Sequence, residues 1–110
     1  MAHKIFVSQP MKGKTDDLIE QERANIVKFV KDIVGTDIEI MSSFFKGEAE
    51  RMKPLRLLGM ALELMSDADT VVFAPGWESA RGCRIEHECA VQYGLHVIDL
   101  SDGQIEKELS

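Results

Sequence analysis

Residues 4–8 (KIFVS) form a short β-branched and aromatic run that stops at Gln9-Pro10, the pattern of a strand running into a turn. From Thr15 the apolar positions change to a helical period. Leu18, Ile19, Ile26, Val27, Phe29, Val30, Ile33 and Val34 fall on one side of a helix with most charges opposite, as in a helix laid on a sheet. Thr15 is the predicted N-cap, Asp16 and Asp17 put negative charge at the positive end of the helix dipole, and Gly35 ends the helix after Val34. Glu22 and Arg23 interrupt the apolar side near its start. They read as a salt-bridged surface pair, with a solvent cleft or a partner chain as the other destinations.

Residues 37–41 read as a second strand and 96–100 as a fourth, while 70–74 (TVVFA) lacks polar alternation and so reads as a third strand buried on both faces. Helices fill the gaps at 54–65 and 82–93, the first opened by Pro54 and the second closed by Gly94. This alternation implies right-handed crossovers and a parallel sheet. The expected architecture is α/β: a Rossmann-like (flavodoxin-like) three-layer domain with a four-stranded parallel sheet in the order 2-1-3-4. That order reverses between strands 1 and 3 and opens a crevice at their carboxyl ends, where loops 8–14 and 75–82 meet.

The helix over 54–65 carries Leu55, Leu57, Leu58, Met60, Ala61, Leu62, Leu64 and Met65 around more than half of its circumference. One sheet face needs only a stripe of roughly 100°. The surplus predicts a homodimer or higher homo-oligomer packed through this helix, with the loop 42–52 or the C-terminal tail as the alternative cover.

At 110 residues and 45% hydrophobic content the chain fits a single domain spanning 1–110 with one core. A net charge of -6 opposes binding to a nucleic-acid polymer, whose affinity comes largely from Lys and Arg at phosphates. A small anion held by a local cluster of donors is not opposed. No apolar run approaches the roughly 20 residues of a membrane span and no signal-peptide core opens the chain, so a cytoplasmic protein without membrane association is expected. Cys83 and Cys89 project apart on a helix, which predicts free thiols, and no Cys/His spacing suggests a metal.

On a helical projection of 82–93, Cys83, Ile85, Cys89, Ala90 and Tyr93 share one face, and Glu86 falls in its middle, with Arg84, His87, Glu88 and Gln92 opposite. A carboxylate among sheet-facing residues is costly unless it is hydrogen-bonded, paired or kept for chemistry. Glu86 is also near the start of its helix, hence at the crevice. The plain alternative is a helix-opening Glu that bonds free backbone N–H groups. In the loop before it, Gly76 and Gly82 allow close backbone approach, Trp77 offers a stacking surface, and Arg81 can hold a phosphate or carboxylate. Ser79 sits in Trp77-Glu78-Ser79-Ala80-Arg81, which is not a nucleophile elbow, and Cys83 has no clear His partner. The first loop, Ser8-Gln9-Pro10-Met11-Lys12-Gly13-Lys14, precedes a helix N-terminus and can hold an anion, but it is neither a Walker A nor a G-x-G-x-x-G loop. No cofactor is expected.

At three stretches the sequence resembles the nucleoside 2-deoxyribosyltransferase-like superfamily, and within it the DUF4406 branch found in phages and bacteria. These are residues 5–13 (IFVSQPMKG), residues 68–73 (ADTVVF), and the block from Pro75-Gly76-Trp77 through Arg81-Gly82-Cys83-Arg84-Ile85-Glu86-His87-Glu88-Cys89-Ala90 to Gly94. The resemblance implies that Glu86 is the nucleophile that attacks the anomeric carbon, that Asp69 assists base recognition or proton transfer, and that Ser8 through Gly13 cradle the sugar or a 5′-phosphate. Two departures stand out: Ala80 occupies a position where relatives commonly carry Ser or Asp, with Ser79 one place earlier, and Ser8-Gln9 is bulkier than the usual pair.

The expected activity is cleavage or transfer of the N-glycosidic bond of a (deoxy)nucleoside or its 5′-monophosphate. Glu86 and Asp69 are the catalytic residues; Ser8, Gln9, Pro10, Met11, Gly13, Gly76, Trp77, Ser79, Arg81 and Gly82 bind substrate, and Trp77 or Tyr93 stacks near the base. The alternatives are a non-catalytic nucleotide-binding module on the same scaffold, and an interaction protein built around the apolar helix 54–65.

Overall fold

The computed structural model describes residues 2–41 and 52–100. Four strands, β1 (His3–Ser8), β2 (Ile38–Ile40), β3 (Thr70–Phe73) and β4 (His96–Asp99), alternate with three helices, α1 (Asp16–Val34), α2 (Pro54–Met65) and α3 (Arg81–Gln92). The sheet is parallel throughout in the order β2-β1-β3-β4, as the alternation of elements predicts. Ser8 pairs with Phe73 in register, so β1 and β3 end side by side at the switch point.

Strand alternation sorts the core into two layers. Ile5 and Val7 of β1 join Val72 and Ala74 against Ile26, Phe29 and Val30 of α1. Phe6 joins Val71 and Phe73 on the opposite face, against Ala61 and Met65 of α2 and Ala90 of α3. All four residues of β3 are buried, because helices cover it on both sides. The chain is thus a three-layer Rossmann-like domain.

The Thr15 side chain caps α1 by accepting from Leu18 N at 3.2 Å, and Gly35 at φ 116° ends it. Leu18 and Ile33, expected on the buried side, are exposed near its two ends. A 19-residue helix is about 28 Å long and overhangs a six-residue strand of about 20 Å. Between β3 and α3 lies a short 3-10 turn, Trp77–Ser79, that hydrophobic periodicity does not reveal. It follows Gly76, whose φ of 85° favours glycine, and Ser79 Oγ donates back to Gly76 O at 2.8 Å. No helix among the described residues is long and apolar enough to cross a membrane.

Candidate functional site

Ser8 and Gln9 are adjacent at the end of β1, so their side chains leave on opposite faces. Gln9 turns toward α1, where its Nε2 donates to Ile19 O at 2.8 Å and its Oε1 accepts from Arg23 Nε at 3.1 Å. Lys14, after the Gly13 turn, pairs with Glu22 at 3.0 Å. The two charged residues that interrupt the apolar side of α1 are therefore anchors for the first loop: Glu22 holds Lys14 and Arg23 holds Gln9.

Ser8 turns toward α3, whose inward residues are Cys83, Glu86 and Ala90. The Ser8 hydroxyl donates to Glu86 Oε1 at 2.6 Å, and Glu86 is only 8% exposed. Burial raises the pKa of the Glu86 carboxyl above the usual range, and the bond from Ser8 opposes that rise. Among the described residues Oε2 has no hydrogen-bond partner, yet no buried side-chain nitrogen or oxygen lacks one. Oε2 is therefore accessible at the crevice. Cys83 lies one turn earlier, its thiol pushed from 9.0 up to about 11 chiefly by burial; Glu86 adds to the rise, while Ser8 and Lys14 oppose it.

The projected face of α3 is narrower than expected. Ile85 and Tyr93 point outward, Tyr93 at 84% exposure, because the sheet-facing stripe runs through Cys83, Glu86 and Ala90. His87, assigned to the outer side, is instead half-buried: its imidazole stacks on the Trp77 indole at 4.0 Å and 10° and meets the edge of Phe73 at 4.6 Å. Its Nε2 lies 3.0 Å from Asp99 Oδ1.

A cavity of about 790 Å³ opens at the carboxyl ends of β1 and β3. Of the sequence-predicted residues, Ser8, Gln9, Pro10 and Met11 line one side, and Ser79, Arg81, Gly82 and Glu86 another. Gly13, Gly76, Trp77 and Asp69 do not line it. Trp77 is occupied by His87 and Phe73, and Tyr93 sits at the far end of α3. Asp69 precedes β3, at the opposite edge of the sheet, where its Oδ2 accepts from Lys4 N at 2.8 Å. Four residue steps along the strand, about 13 Å, separate Lys4 from Ser8. Asp69 is thus a cap on a strand start and lies away from Glu86.

Leu57, Leu58 and Ala61 of α2 also line the cavity, as do Lys12 and Arg84. The apolar surplus of α2 is the sequence signal for this wall. Part of that surplus lines the cavity, while Leu55 remains 78% exposed. The other expected covers, 42–51 and the tail from 101, lie outside the described residues. No group of three or more His, Cys, Asp or Glu suited to a metal occurs among the described residues.

A family model described as a domain of unknown function, DUF4406, matches residues 3–99. The chain belongs to this family. The DUF4406 match runs from the start of β1 to the end of β4, so it takes in both crevice loops, Ser8 and Glu86. No curated protein matches the chain.

Proposed function

We propose that this DUF4406 domain cleaves the N-glycosidic bond of a nucleoside or nucleotide, with Glu86 as the nucleophile. The carrying observation is a buried carboxylate with one oxygen held by Ser8 and the other open to a cavity that no second carboxylate lines among the described residues. Glycosidases that expel an alkoxide place a second carboxyl a few ångströms away to protonate it. A lone carboxylate suits a leaving group that departs as a stabilised nitrogen anion or takes its proton from water, as a nucleobase does. The resemblance of residues 75–94 to the nucleoside 2-deoxyribosyltransferase-like superfamily supports the same role for Glu86.

In the first step Oε2 of ionised Glu86 bonds to the anomeric carbon as the carbon–nitrogen bond breaks, its electron pair leaving on the base, which takes a proton from solvent. Ser8 orients the carboxylate and, by hydrogen-bonding its ionised form, keeps it available for attack. In the second step water attacks the same carbon, releases the Glu86 carboxylate and loses a proton; a second base in place of water gives transfer. Asp69 has no part in this scheme because it lies at the other sheet edge.

The test is base release, followed by chromatography, from a panel of 2′-deoxynucleosides, ribonucleosides and their monophosphates, with wild type beside Glu86→Gln. Release by wild type and its loss in the variant is expected. Undiminished release by the variant, or no release from any compound, overturns the proposal. Ligand-induced stabilisation without release is the signature of the binding-module alternative.

A further inference from the structure

The carboxyl end of β1 ties the three layers together. Ala74 N donates to Ser8 O at 2.9 Å in the ladder to β3, and Pro10, which has no N–H, cannot extend the strand as a donor. From there two buried side chains hold the chain on opposite faces of the sheet: Ser8 reaches α3 and Gln9 reaches α1.

Gln9 is held in one orientation. Its Nε2 donates to Ile19 O at 2.8 Å, and its Oε1 accepts from Arg23 Nε at 3.1 Å. Turning the amide over would set its NH2 against the guanidinium and its oxygen against a carbonyl, so both partners oppose the flip. Glu22, next to Arg23, holds Lys14 at 3.0 Å, and consecutive residues of α1 thus anchor both ends of the loop 10–13. Burial of the Arg23 guanidinium is costly, and desolvation lowers its pKa. An apolar residue at that position would continue the buried side of α1 at lower cost. Arg23 is not one of the residues lining the cavity, and the pKa of Glu86 is set by burial and by Ser8.

We propose that Arg23 is a positioning residue that acts on Glu86 through Gln9 and Ser8. Holding Gln9 against α1 fixes the end of the strand, and a strand end fixed on one face fixes the direction in which Ser8 leaves the other. The Ser8 hydroxyl is thereby kept on Glu86 Oε1 at 2.6 Å, and it does not turn into the cavity. The inference rests on the reading of Glu86 as nucleophile for its effect on catalysis, whereas its effect on the carboxyl itself does not.

The experiment is a double-mutant cycle of Arg23→Met and Ser8→Ala in which the Glu86 carboxyl is titrated by carbon-13 NMR, its resonance assigned by its loss in Glu86→Gln. Circular dichroism confirms each fold, and Gln9→Met, which breaks the same chain at its middle link, takes the place of Arg23→Met if that variant does not fold. Arg23→Met is expected to raise the Glu86 pKa in the wild-type background, because a misdirected Ser8 no longer stabilises the ionised form, and to leave it unchanged where Ser8 is already Ala. A rise of equal size in both backgrounds, or no rise in either, overturns the inference, since a bare charge or a packing contact acts without Ser8. In base release Arg23→Met is expected to lower kcat about tenfold with KM held within about twofold, as for a residue that touches no substrate. An unchanged kcat overturns the catalytic half. Absence of base release from wild type ends the glycosidic reading and leaves the NMR cycle standing, whereas an additive cycle ends this inference and leaves that reading.

Discussion

The Ser8 hydroxyl at the end of β1 and the Glu86 carboxylate in the second turn of α3 are 2.6 Å apart, although 78 positions separate them in the chain. Ser8 has a single hydrogen to donate, and Glu86 Oε1 receives it. The bond fixes the orientation of a buried acid and lowers a pKa that burial raises. Structure and chemistry meet in this pair.

Replacing Ser8 by Ala removes that donor and leaves Glu86 Oε1 buried without its partner. The expected cost is about 1–3 kcal/mol at neutral pH, where the carboxylate is ionised or forced to take up a proton. Urea denaturation of wild type and Ser8→Ala checks the value. A variant as stable as wild type would show that the bond contributes nothing net.

Glu86→Gln changes how stability responds to pH. The folded pKa of Glu86 lies above its ordinary value of 4.5, so within that window the native state holds more protons than the unfolded chain. The wild-type stability contribution is full below the window and is lost as pH rises through the folded pKa. The amide variant cannot ionise, so it is expected to match or exceed wild type at pH 8 and to lose that relative advantage near pH 4. Melting temperatures of the two proteins across this range test the sign.

Cys83 is expected to be a slow nucleophile. Raising the thiol from 9.0 to about 11 reduces the thiolate at pH 8 by about a hundredfold, before burial further restricts access. Mass spectrometry of iodoacetamide labelling gives the rate, and labelling in denaturant supplies the unfolded reference. Rapid native labelling of Cys83 at pH 8 contradicts its placement.

Trp77 is the chain's one tryptophan, and its stacking on His87 makes its emission a local probe. His87→Leu removes both the stacked imidazole and the contact to Asp99, for an expected loss of about 1–2 kcal/mol and a change in indole emission. Unchanged fluorescence contradicts the stack.

Asp69→Asn separates the two carboxylates that the resemblance joins. The side chain caps Lys4 N and lies at the far sheet edge, so the variant is expected to lose no more than about 1 kcal/mol of stability. Base release, where present in wild type, is expected to stay within about twofold, because the hydrogen bond contributes to a strand start and not to the reacting atoms. Loss of release with the fold intact restores a catalytic role to Asp69.

Local pattern was enough for the elements: α2 spans Pro54–Met65 as its proline and apolar run predict, Thr15 caps α1, and the unbroken TVVF run is buried β3. The βα alternation carries the strand order and the crevice, because short crossovers leave few topologies open. Glu86 was also legible, since a carboxylate at an apolar helical position breaks the period of α3. What periodicity could not give was the identity of partners. A helix projection reports angles about an axis and not what stands opposite, so it placed Tyr93 inward and His87 outward, and it could not tell Leu57 and Leu58 walling a cavity from the same leucines meeting a second subunit. The Gln9–Arg23, Ser8–Glu86 and His87–Asp99 contacts, the distance of Asp69 from the crevice, and the convergence of Lys12, Arg81 and Arg84 depend on strand register and on which face each β1 side chain leaves. Those relations arise only when segments far apart in the chain pack together, and only the tertiary structure decides them.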